Sequence, residues 1–368
     1  MWLTPNGTTA VMIARFPQDS SRRTMDSSPT LTTRNKAIAT WLLICCGMVF
    51  AMIVLGGVTR LTGSGLSMAE WRPIMGVVPP LTDAEWQRVF EIYQQTPEFQ
   101  KVNSHFDVDD FKGIFWLEYL HRLLGRLLGF VFALPLVYFV VRKYISLREL
   151  PWYLLMLALG GAQGLIGKIM VASGQVDAPH VSHYRLTAHL GAALLVYAMM
   201  LWRSLSLLHP AGENRARHSR YRKTLPLTTL ITITVLSGGF VAGLKAGLVY
   251  PTFPMMGQYW FPPELFSLEP WWRNFLDNRT TVQFDHRLLA ITTFVLIVVY
   301  WFRARQIDLP ARARRSTNAL LHTAVLQVIL GISTLLLAVP VWLAASHQAV
   351  AVLLFTVALY LQHGLRRG

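Results

Sequence analysis

The sequence predicts an all-α integral membrane protein whose eight transmembrane helices form two pseudo-symmetric four-helix bundles. The 368-residue chain is 53% apolar and only 14% charged, a composition that is unusual for a soluble globule. Eight apolar segments each approach the roughly 20 residues that a helix needs to cross a bilayer. Motifs of the first half recur in the second half, and such internal repeats indicate an architecture built from repeated units.

The basic residues fall in alternate loops. A net charge of +15 is compatible with nucleic-acid binding, but the Lys and Arg residues do not form one patch. An excess of basic residues in every second short loop marks the cytoplasmic side of a membrane protein. We therefore expect membrane lipid around the chain, no nucleic-acid partner, and both termini in the cytoplasm.

The apolar runs define the predicted spans in chain order. They cover residues 37–58, 114–141, 151–171, 185–208, 225–249, 281–302, 316–339 and 341–361. A basic cytoplasmic linker at 209–224 separates an N-terminal four-helix bundle, 37–208, from a C-terminal one, 225–368. The connection around Pro340 is very short, so the last two helices should be antiparallel neighbours.

Residues 1–36 are expected to form a cytoplasmic tail that is rich in Ser, Thr and basic residues. Asp19 and Asp26 argue against a mitochondrial presequence, because such peptides are poor in acidic residues. The tail therefore favours the bacterial plasma membrane over the mitochondrial inner membrane. Cys45 and Cys46 are adjacent within the first span, so we expect no structural disulfide.

Ionisable residues cluster at the start of the second predicted span. Glu118, His121 and Arg122 lie on one helix face, because residues three and four apart are neighbours on a helix. Ionisable groups within a membrane are costly and usually functional. The equivalent residues of the sixth span are Gln283, His286 and Arg287. A site is therefore predicted in each half, with a carboxylate in the first half alone.

Further motifs repeat at similar offsets. The pair Gly56-Gly57 matches Gly238-Gly239, at an offset of 182 residues. The other matched pairs, at offsets of 165, 164, 164 and 158 residues, are His121 with His286, Gln163 with Gln327, Gly167 with Gly331, and His189 with His347. Each half therefore carries one histidine on its second helix and one on its fourth.

These four histidines are predicted at one depth, within the first few residues of helices that run inward from the outer side. Two imidazoles that face each other across a helical bundle provide the axial ligands of a haem iron. A polar histidine satisfied at the membrane interface is the alternative for each one. The remaining histidines have no repeat counterpart and are interpreted as ordinary residues; they are His105, His180, His183, His209, His218, His322 and His363.

The arginines that follow His121 and His286 need acidic partners. Guanidinium groups bind carboxylates through charge-assisted and often bidentate hydrogen bonds, and a haem carries two propionates. An acidic residue of the outer loops is the alternative partner. The sequence alone leaves both pairings open.

The run Gly56-Gly-Val-Thr-Arg-Leu-Thr-Gly-Ser-Gly-Leu-Ser-Met68, the run Glu118-Tyr-Leu-His-Arg122 and the histidines of the fourth, sixth and eighth spans together resemble the haem A synthase family. The resemblance covers nearly the whole chain from the first span to the last. It implies an oxidoreductase that converts the C8 methyl group of haem o to a formyl group, which yields haem a for cytochrome c oxidase assembly. One branch of the family carries a cysteine pair in an outer loop, and this chain lacks that pair.

The resemblance also implies site residues and partners. A haem b cofactor would bind His286 and His347 in the C-terminal bundle, with Arg287 as a contact of its propionates. The residues implied for the substrate haem o in the N-terminal bundle are His121, His189, Arg122 and the catalytic Glu118. Haem o synthase and cytochrome oxidase assembly factors are the expected protein partners, and a homo-oligomer stays open.

Other classes of protein fit this sequence less well. A dihaem electron carrier that exchanges electrons with a quinol would use the same duplicated histidines, but it gives no reason for Glu118 to be replaced by Gln283 in the second half. A di-iron carboxylate bundle needs Glu-x-x-His on two helices, and only the second helix supplies it. A transporter is disfavoured because no span has the broken pattern of discontinuous helices.

Overall fold

The computed structural model describes residues 33–68, 78–172, 181–210 and 221–366. Within these ranges the chain folds into helices and loops, with one isolated antiparallel bridge between Met256 and Tyr259. The α-helices are α1 (Thr33–Leu61), α2 (Asp83–Gln94), α3 (Pro97–Lys101), α4 (Val108–Val141), α5 (Leu150–Ala172), α6 (His183–Leu208), α7 (Tyr221–Gly243), α8 (Asn274–Asp277), α9 (Arg279–Arg305), α10 (Ala311–Leu336) and α11 (Val341–Arg366). Most of the predicted tail, most of the predicted linker and His180 lie outside the described residues.

Eight of these helices are long and apolar enough to cross a membrane, namely α1, α4, α5, α6, α7, α9, α10 and α11. The predicted all-α membrane fold with eight spans is confirmed. Two predicted ends were too late, because the backbone leaves the helical region earlier. Helix α7 ends at Gly243, before Lys245 with φ of 52°, and α10 ends at Leu336, before Ala338 and Val339 with φ of 58° and 63°.

Helix α4 begins six residues before the predicted start of the second span (114 − 108). The Asp107 carboxylate accepts hydrogen bonds from the backbone N–H groups of Asp109 and Asp110, both at 2.9 Å. This capping box satisfies the free N–H groups of the first turn and extends the helix outward. His121 therefore lies 13 residues after the start of α4 (121 − 108). The prediction that all four repeated histidines lie within the first few residues of their helices is wrong for His121.

Four helices form the centre of the protein. Helix α1 packs against α4, α6 and α11, whereas α7 packs against α6, α9 and α11. In α1, α6 and α11, 44% of the most apolar stretch is buried inside the protein, compared with 6% in α5. The two halves of the chain therefore meet through α1, α6, α7 and α11. The predicted neighbours α10 and α11 pack closely on each other, as the short connection at Pro340 required.

The second glycine of each repeated pair lies at a contact between the halves. A Cβ atom at Gly57 of α1 would lie 1.8 Å from Oε1 of Gln348 in α11, whose Nε2 donates to the Ile53 carbonyl at 2.8 Å. A Cβ atom at Gly239 of α7 would lie 3.0 Å from Oγ1 of Thr187 in α6. Small residues let helix backbones approach closely in membranes. Both glycines therefore bring the first helix of one half against the fourth helix of the other.

The outer segment between α1 and α4 is helical in part, which the sequence analysis missed. Helix α2 begins at a capping box in which Thr82 and Glu85 satisfy each other's backbone N–H groups. A buried, largely aromatic cluster joins α2 to the outer end of α4, and Phe99 of α3 packs against it; its members are Trp86, Phe90, Tyr93, Phe111, Ile114, Phe115 and Tyr119. This segment forms a cap over the outer end of α4, and we refer to residues 83–107 as the outer cap.

We predict that Gly243→Ala destabilises the protein by about 1–3 kcal/mol, the usual effect of overpacking. The added Cβ atom would lie 2.5 Å from Cβ and 2.8 Å from Cα of His183, so α6 and α7 must separate. Gly47→Ala is the matched control, because no described atom lies within 4 Å of its added Cβ and alanine favours a helix. Thermal unfolding in detergent micelles should give a lower midpoint for Gly243→Ala alone; equal midpoints for the two variants would contradict the prediction.

Candidate functional site

Glu118 is almost completely buried, with 3% of its surface exposed. Its Oε2 accepts hydrogen bonds from Ser67 Oγ at 2.7 Å and from the Met68 backbone N–H at 2.8 Å, whereas its Oε1 accepts from Arg122 Nη2 at 2.5 Å. Both oxygens act as acceptors only, as those of an ionised carboxylate do. Glu118 is therefore a fixed negative charge at the outer end of α4.

In each half, side chains at these positions form hydrogen bonds to the backbone segment that follows the first helix. Arg122 donates to the Met68 carbonyl at 3.2 Å. In the second half, Gln283 Nε2 donates to the Tyr250 carbonyl at 3.1 Å, and Arg287 Nη2 donates to that carbonyl at 2.8 Å. The arginine one turn after Glu118 or Gln283 thus plays the same structural part in both halves. What differs is the buried charge beside it.

Each repeated histidine lies against a glycine of a neighbouring helix. A Cβ atom added to the glycine would come within 3.0 Å of His121 at Gly56, 3.3 Å of His286 at Gly238, 3.8 Å of His189 at Gly167 and 2.8 Å of His347 at Gly331. These glycines belong to the first and third helices of the two halves. They are the glycines that the offsets had matched in the sequence. The absence of side-chain bulk beside every imidazole is therefore repeated in both halves.

The histidines are brought together in pairs. His121 is close enough to His189, and His286 to His347, for the two rings of each pair to interact electrostatically. Each pair joins the second and fourth helices of one half. Among the described residues, no three His, Cys, Asp or Glu side chains are grouped so that they would hold a bare metal ion.

The ring nitrogens show which atoms are available to a ligand. His286 Nδ1 lies 2.7 Å from Ser237 Oγ, and His347 Nε2 lies 3.4 Å from Gln327 Nε2. His189 Nδ1 and His347 Nδ1 are buried with no hydrogen-bond partner in the described part of the chain. A buried polar atom without a partner costs about 1–3 kcal/mol and calls for an explanation. An imidazole nitrogen that binds a haem iron is such an explanation, and it applies to repeat-equivalent atoms in both halves.

The two arginines differ in their partners. Arg122 pairs with Glu118, which lies on its own helix α4 and not in the outer loops where the alternative acidic partner was expected. Arg287 donates to backbone carbonyls, and its Nε is buried without a hydrogen-bond partner among the described residues. A buried guanidinium N–H fits an additional carboxylate such as a haem propionate. The donor set of the second half thus suits a haem.

Glu98 of the outer cap was not singled out in the sequence. Its carboxylate is 7% exposed and accepts a hydrogen bond from the Tyr93 hydroxyl at 3.3 Å, and Asn103 Nδ2 donates to that hydroxyl at 2.8 Å. Burial, together with repulsion by the Glu118 carboxylate, raises the pKa of Glu98 from its ordinary 4.5 to about 7. Two buried carboxylates therefore lie near each other in the first half. No pattern of spacing in the sequence joins them.

The contacts of His183 hold two segments of the protein together. Its Nε2 lies 3.1 Å from Asp277 Oδ1, which also accepts from the Tyr184 hydroxyl at 2.7 Å, while Arg273 Nε donates to Asp277 Oδ2 at 3.0 Å. Burial alone would raise the pKa of Asp277, but the hydrogen bonds from Tyr184, Arg273 and His183 outweigh it and lower that pKa. The cluster attaches the start of α6 to the outer segment of the second half.

Known proteins resemble this chain over most of its length. A family model described as cytochrome oxidase assembly protein matches residues 39–359. The haem A synthase of Nitrosospira multiformis is 53% identical over 337 residues, which cover 90% of this chain and 94% of that protein. The haem A synthase of Paramagnetospirillum magneticum is 46% identical over 94% of this chain and 98% of its own length. The haem A synthase COX15 of Homo sapiens is 46% identical over 90% of this chain and 83% of its own length.

The environment of Glu98 predicts a pH dependence of stability. Because its folded pKa of about 7 lies above the unfolded value near 4.5, the folded protein binds the additional proton between these pH values. The resulting stabilisation is complete below about pH 4.5 and is lost as the pH rises through about 7. It amounts to about 3 kcal/mol at most. Glu98→Gln should therefore unfold at a higher temperature than the parent at pH 8 but not at pH 5. A constant difference between the two would contradict the assignment.

Proposed function

This chain belongs to the haem A synthases of the cytochrome oxidase assembly protein family, and from that membership we propose that it oxidises the C8 methyl group of haem o to a formyl group, which yields haem a. The observation that carries the proposal is the unequal duplication. Both halves pair two histidines beside glycines, but only the first half places a buried carboxylate one turn before its histidine. Equal haem sites with unequal surroundings suit one site for chemistry and one for electron transfer.

A haem b cofactor is assigned to the second half, on His286 and His347. The Ser237 hydroxyl at Nδ1 of His286 leaves Nε2 as the remaining ring nitrogen, in the way that hydrogen bonds to the other nitrogen orient ligating histidines. Arg287 is assigned to a propionate through its buried Nε. When bound, such a haem supplies an iron that gains and loses single electrons. The chain's own residues orient the two imidazoles and exclude water.

The substrate haem is assigned to the first half, on His121 and His189, with Arg122 at its outer edge. Removal of electrons from a methyl carbon builds positive charge at that carbon. The Glu118 carboxylate, held by three donors before the reaction begins, stabilises that charge without having to reorganise. Glu118 is therefore the proposed catalytic residue, and its role is electrostatic.

Partners and location follow from the proposed reaction. A substrate as apolar as haem o reaches a membrane-embedded site from membrane lipid, which supports haem o synthase as the supplier. Use of the product in a terminal oxidase supports cytochrome oxidase assembly factors as further partners. The chain is a multi-pass membrane protein, and its bacterial relatives support the bacterial plasma membrane as its location. Self-association into a homo-oligomer is compatible with these assignments.

The substitution Glu118→Gln tests the function. It copies the residue of the second half and removes the charge, so haem b should stay bound while the ratio of haem a to haem o falls about a hundredfold. Haem o or a hydroxylated intermediate should accumulate in haems extracted from cells supplied with haem o and separated by chromatography. Glu91→Gln, at an exposed carboxylate of α2, is the matched control.

Two outcomes of this experiment would count against the proposal. If the wild-type protein makes no haem a from haem o, the oxidase function is wrong and a dihaem electron carrier is the better assignment. If Glu118→Gln lowers expression or total haem but keeps the wild-type ratio of products, Glu118 only attaches the Ser67–Met68 segment to α4.

The haem b assignment predicts that His286→Ala and His347→Ala each remove the low-spin haem b spectrum from the purified protein, because each deletes one axial ligand. His322→Ala provides the control, since this exposed histidine of α10 has no repeat counterpart. Absorption spectra of the reduced protein measure the result. Retention of the low-spin spectrum in both ligand variants would rule out this pair as the ligands.

The proposed topology places the outer cap outside and both termini in the cytoplasm. Both Glu85 in α2 and Asp308 between α9 and α10 are exposed, and the proposed topology puts them on opposite sides of the membrane. A membrane-impermeant thiol reagent applied to intact cells should therefore label Glu85→Cys but not Asp308→Cys. The parent protein is the control, because its Cys45 and Cys46 are free but buried in α1. Labelling of Asp308→Cys alone would reverse the topology.

A further inference from the structure

Two carboxylates near the outer end of α4 have opposite environments. Glu118 accepts three hydrogen bonds, one of them from Arg122, and acts as a fixed anion. Glu98 is almost as deeply buried, but within the described part of the chain it receives one hydrogen bond, from Tyr93, and it is repelled by Glu118. When two neighbouring acidic groups have such different environments, one stays ionised and the other exchanges protons near neutral pH. The charge and the proton exchange are thus divided between two residues.

The surroundings of Glu98 connect the site to water. Both Glu98 and the fully buried Tyr93 are close enough to Glu118 to interact with it electrostatically, so one end of this group lies beside the site. Asn103 is half-buried and follows Val102, which is 54% exposed, so the other end of this group reaches the outer surface. Glu98, Tyr93 and Asn103 therefore form a short polar connection through the aromatic cluster of the outer cap.

We propose that Glu98 accepts protons released during oxidation of the substrate methyl group and passes them to the outer aqueous phase. This inference rests on the proposed function. With water as the oxygen donor, a methyl group and one water give a formyl group, four protons and four electrons, and the electrons pass to a one-electron acceptor. Each proton leaves a C–H or O–H bond and passes to water at the site, forms an O–H bond on the Glu98 carboxylate, and then leaves to water of the outer phase. Glu98 does not act on the carbon itself.

The second half offers a comparison. There the Tyr250 hydroxyl donates to Glu264 at 2.7 Å, and this hydrogen bond raises the pKa of Tyr250 to about 12. That pair is exposed to solvent, and Gln283 stands where the first half has Glu118. A tyrosine and a glutamate thus occur in both outer segments, but only in the first half are they buried beside a second carboxylate.

The test uses the full-length protein in membrane vesicles that are supplied with haem o, with the rate of haem a formation measured from about pH 6 to pH 8. The wild-type rate should rise with a midpoint near 7, the pKa of Glu98. Glu98→Gln should be at least about tenfold slower at pH 8 and should lose this dependence, whereas Glu98→Asp should keep it. Glu91→Gln is the control. A wild-type rate and pH profile in Glu98→Gln would overturn the proposal.

A second readout does not depend on activity. Infrared difference spectra should contain a protonated-carboxyl band that titrates near pH 7 and is missing from Glu98→Gln. If Glu98→Gln does not assemble, Tyr93→Phe replaces it: loss of the donated hydrogen bond should shift the midpoint to higher pH, because that bond lowers the pKa of Glu98. An unshifted midpoint, or no such band, would contradict the proposal. Failure of the wild-type protein to make haem a would instead reject the proposed function on which this inference rests.

Discussion

Polar groups within a bilayer must find partners inside the protein, and this constraint organises the outer ends of the spanning helices. The Glu118 carboxylate is the clearest case. An ionised carboxylate at this depth is tolerated because Ser67, Met68 and Arg122 all donate to it. The same three contacts attach the segment after α1 to α4, and they hold the arginine in place beside its histidine. The buried charge of Glu118 thus also determines how the chain after α1 attaches to α4.

The two halves share repeated contacts, and a few residue differences distinguish their sites. Gln283 keeps a hydrogen bond to the outer chain but carries no charge, and Arg287 has a buried N–H with no partner among the described residues. In the first half, Arg122 pairs with the negative charge of Glu118. If both halves bind haem, the second half has a free cationic donor for a propionate, whereas the first half has a fixed anion beside the ring. The difference of one carboxylate therefore changes both the anchoring of the ligand and the charge around it.

Much of the fold is encoded locally and was predictable for that reason. Apolar length identified all eight spans, but their ends depend on single residues with positive φ, such as Lys245 and Ala338, which no apolar pattern reveals. Offsets in the sequence also matched the glycines that the structure places beside His121, His286, His189 and His347. Contacts that join distant segments were not predictable. Ser67 with Glu118, Ser237 with His286 and Glu98 with Glu118 depend on how separate segments pack, so spacing along one helix carries no signal for them.

The outer cap shows why the unpredicted part matters for function. Its aromatic cluster packs on α4 close to Glu118, and this packing removes water from around Glu98. Removal of water destabilises the ionised form of Glu98. The hydrogen bonds from Tyr93 to Glu98 and from Asn103 to Tyr93 connect this carboxylate to the protein surface. A site in the membrane that releases protons needs a group that accepts them at neutral pH and a path to water. Glu118 cannot be that group while three donors hold it as an anion, so the proposed acceptor is a second buried carboxylate, which receives one hydrogen bond from the described residues.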